Sequence, residues 1–114
     1  SPMKILFTAT EPKWEAPIDP RFGRAAYLVI YDDETQSFNA FDNQAISAEA
    51  HGAGTATSKK VYDLKPDVLI TGNGPGESAS KILKQMNIAI YVDAGDMTLR
   101  QSYEAFCNGT LKAL

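Results

Sequence analysis

The chain holds one cysteine, Cys107, and one histidine, His51, in 114 residues. A closed zinc site takes about four Cys or His ligands, so none can form within a single chain. An all-thiolate iron–sulfur site is excluded for the same reason, and a lone cysteine has no internal disulfide partner. Long apolar runs are also missing. Ala25–Tyr31 and Ile88–Val92 fall far short of the roughly 20 residues a membrane-spanning helix needs. There is no excess of positive charge: 11 basic against 14 acidic side chains leave a net charge of −3, which argues against a nucleic-acid or acidic-membrane binder. Nothing near the amino terminus reads as a secretory signal, and Ser1-Pro2 ahead of Met3 reads as a vector-derived remnant. The expected compartment is the cytoplasm.

What is present is an ordinary globular balance, 44% hydrophobic and 22% charged, on a length that suits one domain. Met3–Ala9 is an apolar run closed by Thr10-Glu11-Pro12 and reads as a buried strand. Glu11–Gly23 contains Pro12, Pro17 and Pro20 without sustained periodicity. A loop of that length is either functional or disordered. Ala26–Tyr31 and Phe38–Phe41 flank the turn residues of Asp32–Ser37 and predict a hairpin.

The period then changes. Ala53, Thr57, Val61 and Leu64 share a helical face that Lys65-Pro66 terminates. Asp67–Thr71 is a short strand, and Gly72–Gly76 leads into a second helix, with Pro75 suited to its first position and Ala79, Ile82, Leu83 and Met86 on its apolar stripe. Ile88–Val92 is the last expected strand. Thr98 and Gln101 form a capping box for a helix burying Leu99, Tyr103 and Phe106, with Gly109 at its end. The expected fold class is α/β: one mixed five-stranded sheet with flanking helices, its β-α-β-α-β part parallel and right-handed. Ligands of such sheets lie beyond the carboxyl ends of the parallel strands. That places the loops after Ala9, Asn43, Thr71 and Val92 at one rim.

Four clusters fall there. Asp19-Pro20-Arg21-Phe22-Gly23-Arg24 offers two forked guanidiniums suited to an anion with several acceptors. The alternative is that Arg21 or Arg24 pairs with Asp19 and only pins the loop. His51-Gly52-Ala53-Gly54-Thr55 precedes a helix, where glycines expose N–H groups to the positive end of the dipole. His51 there is a candidate ligand or proton carrier, or else a capping or surface histidine. Gly72-Asn73-Gly74-Pro75-Gly76 resembles an anion-binding turn, and Asp93-Ala94-Gly95-Asp96 is acidic. Gly76-Glu77-Ser78 departs from the G-K-[ST] of a P-loop, and no nucleophile elbow is present. Cys107 beside Phe106 is assigned no role. A nucleotide- or phosphate-binding regulatory module is one reading of this rim.

Taken in order, Asp19-x-Arg21-Phe22-Gly23-Arg24-Ala25, His51-Gly52-Ala53-Gly54, Asp67-Val68-Leu69-Ile70-x-Gly72-x-Gly74-Pro75, Ile88-x-Ile90-Tyr91 and Asn108-Gly109-x-Leu111 resemble the dinitrogenase iron–molybdenum cofactor biosynthesis family. The resemblance runs from Met3 almost to the end and implies a single nitrogenase accessory factor-like domain over 3–114. It implies a ribonuclease-H-like motif with strand order 3-2-1-4-5 and strand 2 antiparallel. It further implies a non-enzymatic carrier of an anionic metal–sulfur cluster, containing molybdenum with iron or copper and held without covalent attachment. Cluster donor and recipient proteins are the implied partners; nucleic acid and membrane are not. The residues it assigns to the cluster are Arg21, Phe22, Gly23, Arg24, His51, Gly52, Ala53, Gly54, Gly72, Asn73 and Gly74, with His51 as the metal ligand. Cofactor carriers of this family often have His-Phe-Gly where this chain has Arg21-Phe22-Gly23. A guanidinium stays protonated and cannot ligate a metal, so ligation at that position is lost and the grip passes to N–H groups and arginine charge.

Overall fold

The computed structural model describes residues 3–114, and the Ser1-Pro2 segment, expected from sequence to be a remnant, lies outside the described residues. Six strands form one sheet: β1 (Lys4–Ala9), β2 (Tyr27–Asp32), β3 (Ser37–Asp42), β4 (Val68–Ile70), β5 (Ala89–Val92) and β6 (Lys112–Ala113). Their order is β3-β2-β1-β4-β5-β6. β1, β4 and β5 run parallel, and β2, β3 and β6 attach by antiparallel pairing. The central order 3-2-1-4-5 is as expected.

β1 is buried from Ile5 to Ala9 because it lies mid-sheet with both faces covered. Ile5, Phe7 and Ala9 enter one core layer with Val68 and Ile70, and Leu6 enters the other with Leu69 and Ile90. The second layer is closed by α2 (Ala53–Leu64) and α3 (Glu77–Gln85), through Val61, Ala79 and Leu83. The first is closed by α4 (Leu99–Cys107) and by the loop between β1 and β2. The capping box of α4 is present: Gln101 N–H donates to Thr98 Oγ1 at 3.1 Å and Thr98 N–H to Gln101 Oε1 at 3.0 Å.

Three details correct the sequence reading. The sheet has six strands rather than five. After α4, Gly109 takes φ +74, the left-handed turn glycine allows, and the chain returns along β5. Two residues carry no readable period, so this strand leaves no trace in the sequence. Second, a single helical turn, α1 (Gln44–Ser47), precedes α2. Third, α3 begins at Glu77 with Gly76 as its cap, so Pro75 stays in the preceding turn instead of opening the helix.

The β1–β2 loop is ordered by bonds to distant segments. Ile18 N–H donates to Met97 O at 2.9 Å, Leu99 N–H to Ala16 O at 2.9 Å, and Arg100 N–H to Trp14 O at 3.0 Å. Ala16 and Ile18 are buried. Trp14 lies edge-on to Phe7 and Tyr31, with ring centroids 5.8 and 4.9 Å apart.

Candidate anion-binding groove

At the carboxyl ends of β1 and β4 the sheet turns polar. Thr8 and Thr71 are both fully buried, and their hydroxyls lie 2.7 Å apart. Thr8 Oγ1 donates to Asp19 O at 2.8 Å. Its one proton is thereby used, so Thr71 donates to Thr8. Asp19 N–H returns a bond of 2.8 Å to Thr8 O. The loop is thus fastened to the central strand where it starts to cross the rim.

Asp19 is a buried carboxylate, 1% exposed. Removing a charge from water is costly unless partners replace the lost hydration. Here four donors do so: Arg21 N–H at 3.0 Å, Arg21 Nε at 3.1 Å, Arg21 Nη2 at 3.1 Å and Ala26 N–H at 3.3 Å. The Asp19 hydrogen bond, then its charge, raise the Arg21 pKa above the usual arginine value. Pro20 is clamped between them and the β4 turn. Asn73 N–H donates to Pro20 O at 2.7 Å, and a Cβ on Gly72 would sit 2.5 Å from Pro20 Cα.

Farther along, the β1–β2 loop, a strap over the rim, meets the start of α2. A Cβ on Gly23 would fall 2.7 Å from Gly54 N, so the two backbones touch with no space for a side chain. Thr57 Oγ1 donates to Gly23 O at 3.1 Å, and Asn43 Nδ2 donates to Ala25 O at 3.0 Å and Thr57 Oγ1 at 3.2 Å. Arg24 is engaged elsewhere. Its Nη1 donates to Ser47 O at 2.6 Å and Glu49 O at 2.9 Å, stapling the loop after α1. Arg24→Ala is expected to cost about 1 kcal/mol and to speed amide exchange through residues 44–51. Unchanged exchange there would show that the staple does not hold the loop.

Between strap and helices lies a groove of about 360 Å³, lined by Pro20, Arg21, Phe22, Gly23, Arg24, Ala53, Gly54, Asn73, Gly74 and Gly76. α2 and α3 both start at this groove, and neither has a side-chain cap. The first N–H groups of each helix therefore lack an intrahelical partner and carry partial positive charge. α2 has no acidic residue in its first turn, whereas α3 has Glu77.

Of the residues singled out from sequence, Arg21, Phe22, Gly23, Arg24, Ala53, Gly54, Asn73 and Gly74 come together in this lining, and His51, Gly52 and Gly72 do not. His51 is exposed just ahead of α2. Gly72 is buried behind the groove, against Pro20. Of the two arginines, Arg21 pairs with Asp19 and pins the loop, Arg24 bonds instead to the segment after α1, and both line the groove. Pro20 and Gly76, which belong to two of the clusters read from sequence, also line the groove, whereas the supporting roles of Thr8, Thr71, Asn43 and Thr57 escaped the sequence reading. An isolated polar residue at a strand end carries no pattern that separates it from a solvated one. Among the described residues no group of three or more His, Cys, Asp or Glu is placed to hold a metal ion, and no helix is long and apolar enough to cross a membrane.

The family model for dinitrogenase iron–molybdenum cofactor matches residues 3–109. The apo form of the orange protein from Desulfovibrio gigas superposes with a TM-score of 0.92 at 32% identity, over 98% of this chain and 92% of that one. A NifB-type protein from Thermotoga superposes with a TM-score of 0.84 at 27% identity, over 98% and 93% of the two chains. No curated protein matches the sequence significantly.

Proposed function

The chain belongs to the dinitrogenase iron–molybdenum cofactor family, and from that premise we propose that it is a small, non-enzymatic carrier of an anionic metal–sulfur cluster seated in the groove. One observation supports this reading above the rest. Two uncapped helix N-termini open onto a cleft whose edge is a fixed arginine. Such N–H groups and guanidinium forks bind anions.

The chemistry of the lining fits a cluster that brings its own ligands. No thiolate, imidazole or carboxylate lines the groove, so it supplies donors rather than metal ligands. Cluster sulfides are acceptors, and the contacts would be N–H···S and arginine–sulfide bonds without covalent attachment. Molybdenum with iron or copper is the metal content this reading assigns, and donor and recipient proteins are its partners. His51, exposed ahead of α2, is the only imidazole that would be on hand as an outer metal ligand.

Anaerobic titration with molybdate, sulfide and copper is expected to develop visible charge-transfer absorption. Arg21→Ala and Gly74→Val are each expected to weaken uptake about tenfold or more, the worth of a lost charge-assisted bond or of a blocked groove. The cluster reading is sunk if both variants take up cluster normally, or if nucleotides raise the melting temperature and the metal mixture does not.

A further inference from the structure

We propose that Asp19 is the positioning residue of the groove, holding the Arg21 guanidinium in one fixed orientation so that its remaining donors are presented to a bound anion. The proposal rests on the anion-binding reading of the groove and adds a residue to it that lies outside the lining.

The geometry is specific. Asp19 Oδ1 takes Arg21 Nε and Oδ2 takes Arg21 Nη2, both at 3.1 Å, a bidentate fork. Nη1 bonds to nothing among the described residues, and Arg21 lines the groove. The two residues are only two positions apart, and the segment between them cannot drift. Pro20 is locked by Asn73 N–H and packed against Gly72. Asp19 itself is bonded at both its N–H and its C=O to Thr8. A side chain that is 59% exposed would otherwise sample many rotamers. An arginine loses that freedom when it grips a ligand, unless the protein has already removed it.

Asp19 has a second effect of opposite sign. Its negative charge offsets the positive charge of Arg21, which weakens attraction for any anion. If Asp19 only neutralised charge, removing it would tighten binding. If it positions, removing it loosens binding. Salt separates the two, because the unmasked charge on an exposed arginine is screened at high ionic strength, whereas orientation is not.

Tetrathiomolybdate, a mononuclear anion with sulfide acceptors, is the probe, titrated at about 0.05 M and about 0.5 M salt, where the Debye length falls to a few ångströms. Asp19→Asn is expected to bind the probe roughly tenfold more weakly than wild type at the higher salt, with a steeper salt dependence. Arg21→Lys keeps the charge but loses the planar fork, and is expected to lose a similar factor. The double variant is expected to lose no more than either single one, since both remove the same element. Asp19→Asn binding as tightly as wild type at the higher salt, or losses that simply multiply in the double variant, would overturn the proposal. Should Asp19→Asn not fold, Arg21→Lys decides alone, because it keeps the Asp19 bonds to the Arg21 and Ala26 N–H groups; full affinity in that variant is equally fatal. Absence of any wild-type binding of the probe fells the groove reading itself and this proposal with it.

Discussion

Replacing Gly72 by alanine is expected to lower the melting temperature by roughly 10–20 °C. The added methyl would lie 2.5 Å from Pro20 Cα and 3.0 Å from Pro20 Cβ. Neither neighbour is the free end of a flexible side chain, so backbone has to move on one side or the other. Overpacking of this kind costs about 1–3 kcal/mol, and the upper value applies where no side chain can yield. For a domain near 100 residues, each kcal/mol shifts the midpoint by roughly 4–8 °C. The displaced segment carries Asp19 and Arg21, so the variant should also lose anion binding at temperatures where it is still folded. Calorimetry checks the first effect and probe titration the second. A midpoint within a couple of degrees of wild type would mean that the two backbones do not meet as described.

The second large effect is expected from Phe7→Ala. Phe7 is fully buried in the core layer under α4, and its ring meets Trp14 edge-on at 5.8 Å. Truncation of a buried phenylalanine costs about 3–5 kcal/mol, a large share of the roughly 5–15 kcal/mol that holds a small domain together. The site also has a built-in reporter, since Trp14 is the only tryptophan in the chain. Loss of its partner ring would open the aromatic cluster of Trp14, Tyr31 and Tyr103 to water, and native-state emission should shift to the red. Denaturant unfolding gives the stability change. An unmoved emission maximum with less than about 1 kcal/mol lost would show that the loop is not anchored through this contact.

The parts of the fold that announced themselves in the sequence are those with a period or a cap. The apolar run of β1, the stripe Ala79-Ile82-Leu83-Met86 of α3, and the Thr98–Gln101 box each express local chemistry, and each is found in its place. What stayed hidden depends on long-range partners. Loop residues Pro17 and Ile18 are held by single bridges to Thr98 and Ala9 beside the buried Ala16, and an isolated bridge leaves no period to read. β6 exists only because Gly109 aims two residues at the edge of β5.

The groove divides the same way. Glycines near a helix start and closely spaced arginines stand out, and Arg21, Arg24, Gly54, Gly74 and Gly76 do line it, whereas Gly52 and Gly72 do not. The state of those residues could not be read. Whether Arg21 faced solvent or a carboxylate depended on Asp19 being buried, where its backbone is bonded to Thr8, a residue eleven positions away on the central strand. Gly72 looked like part of an anion-binding turn and instead lets two segments close on each other.

The return of β6 along β5 has a practical consequence. Leu114 N–H bonds to Ile90 O at 2.9 Å, near the amino end of β5, and β1 starts at Lys4 in the same row, where Asp67 N–H meets Lys4 O at 2.8 Å. Met3 and Leu114 therefore leave the sheet from the border opposite the groove. A fused reporter, an affinity handle or a sensor surface attached at either point would leave the mouth facing free solution. Capture and release could then be followed on tethered molecules without the tether screening the exchange.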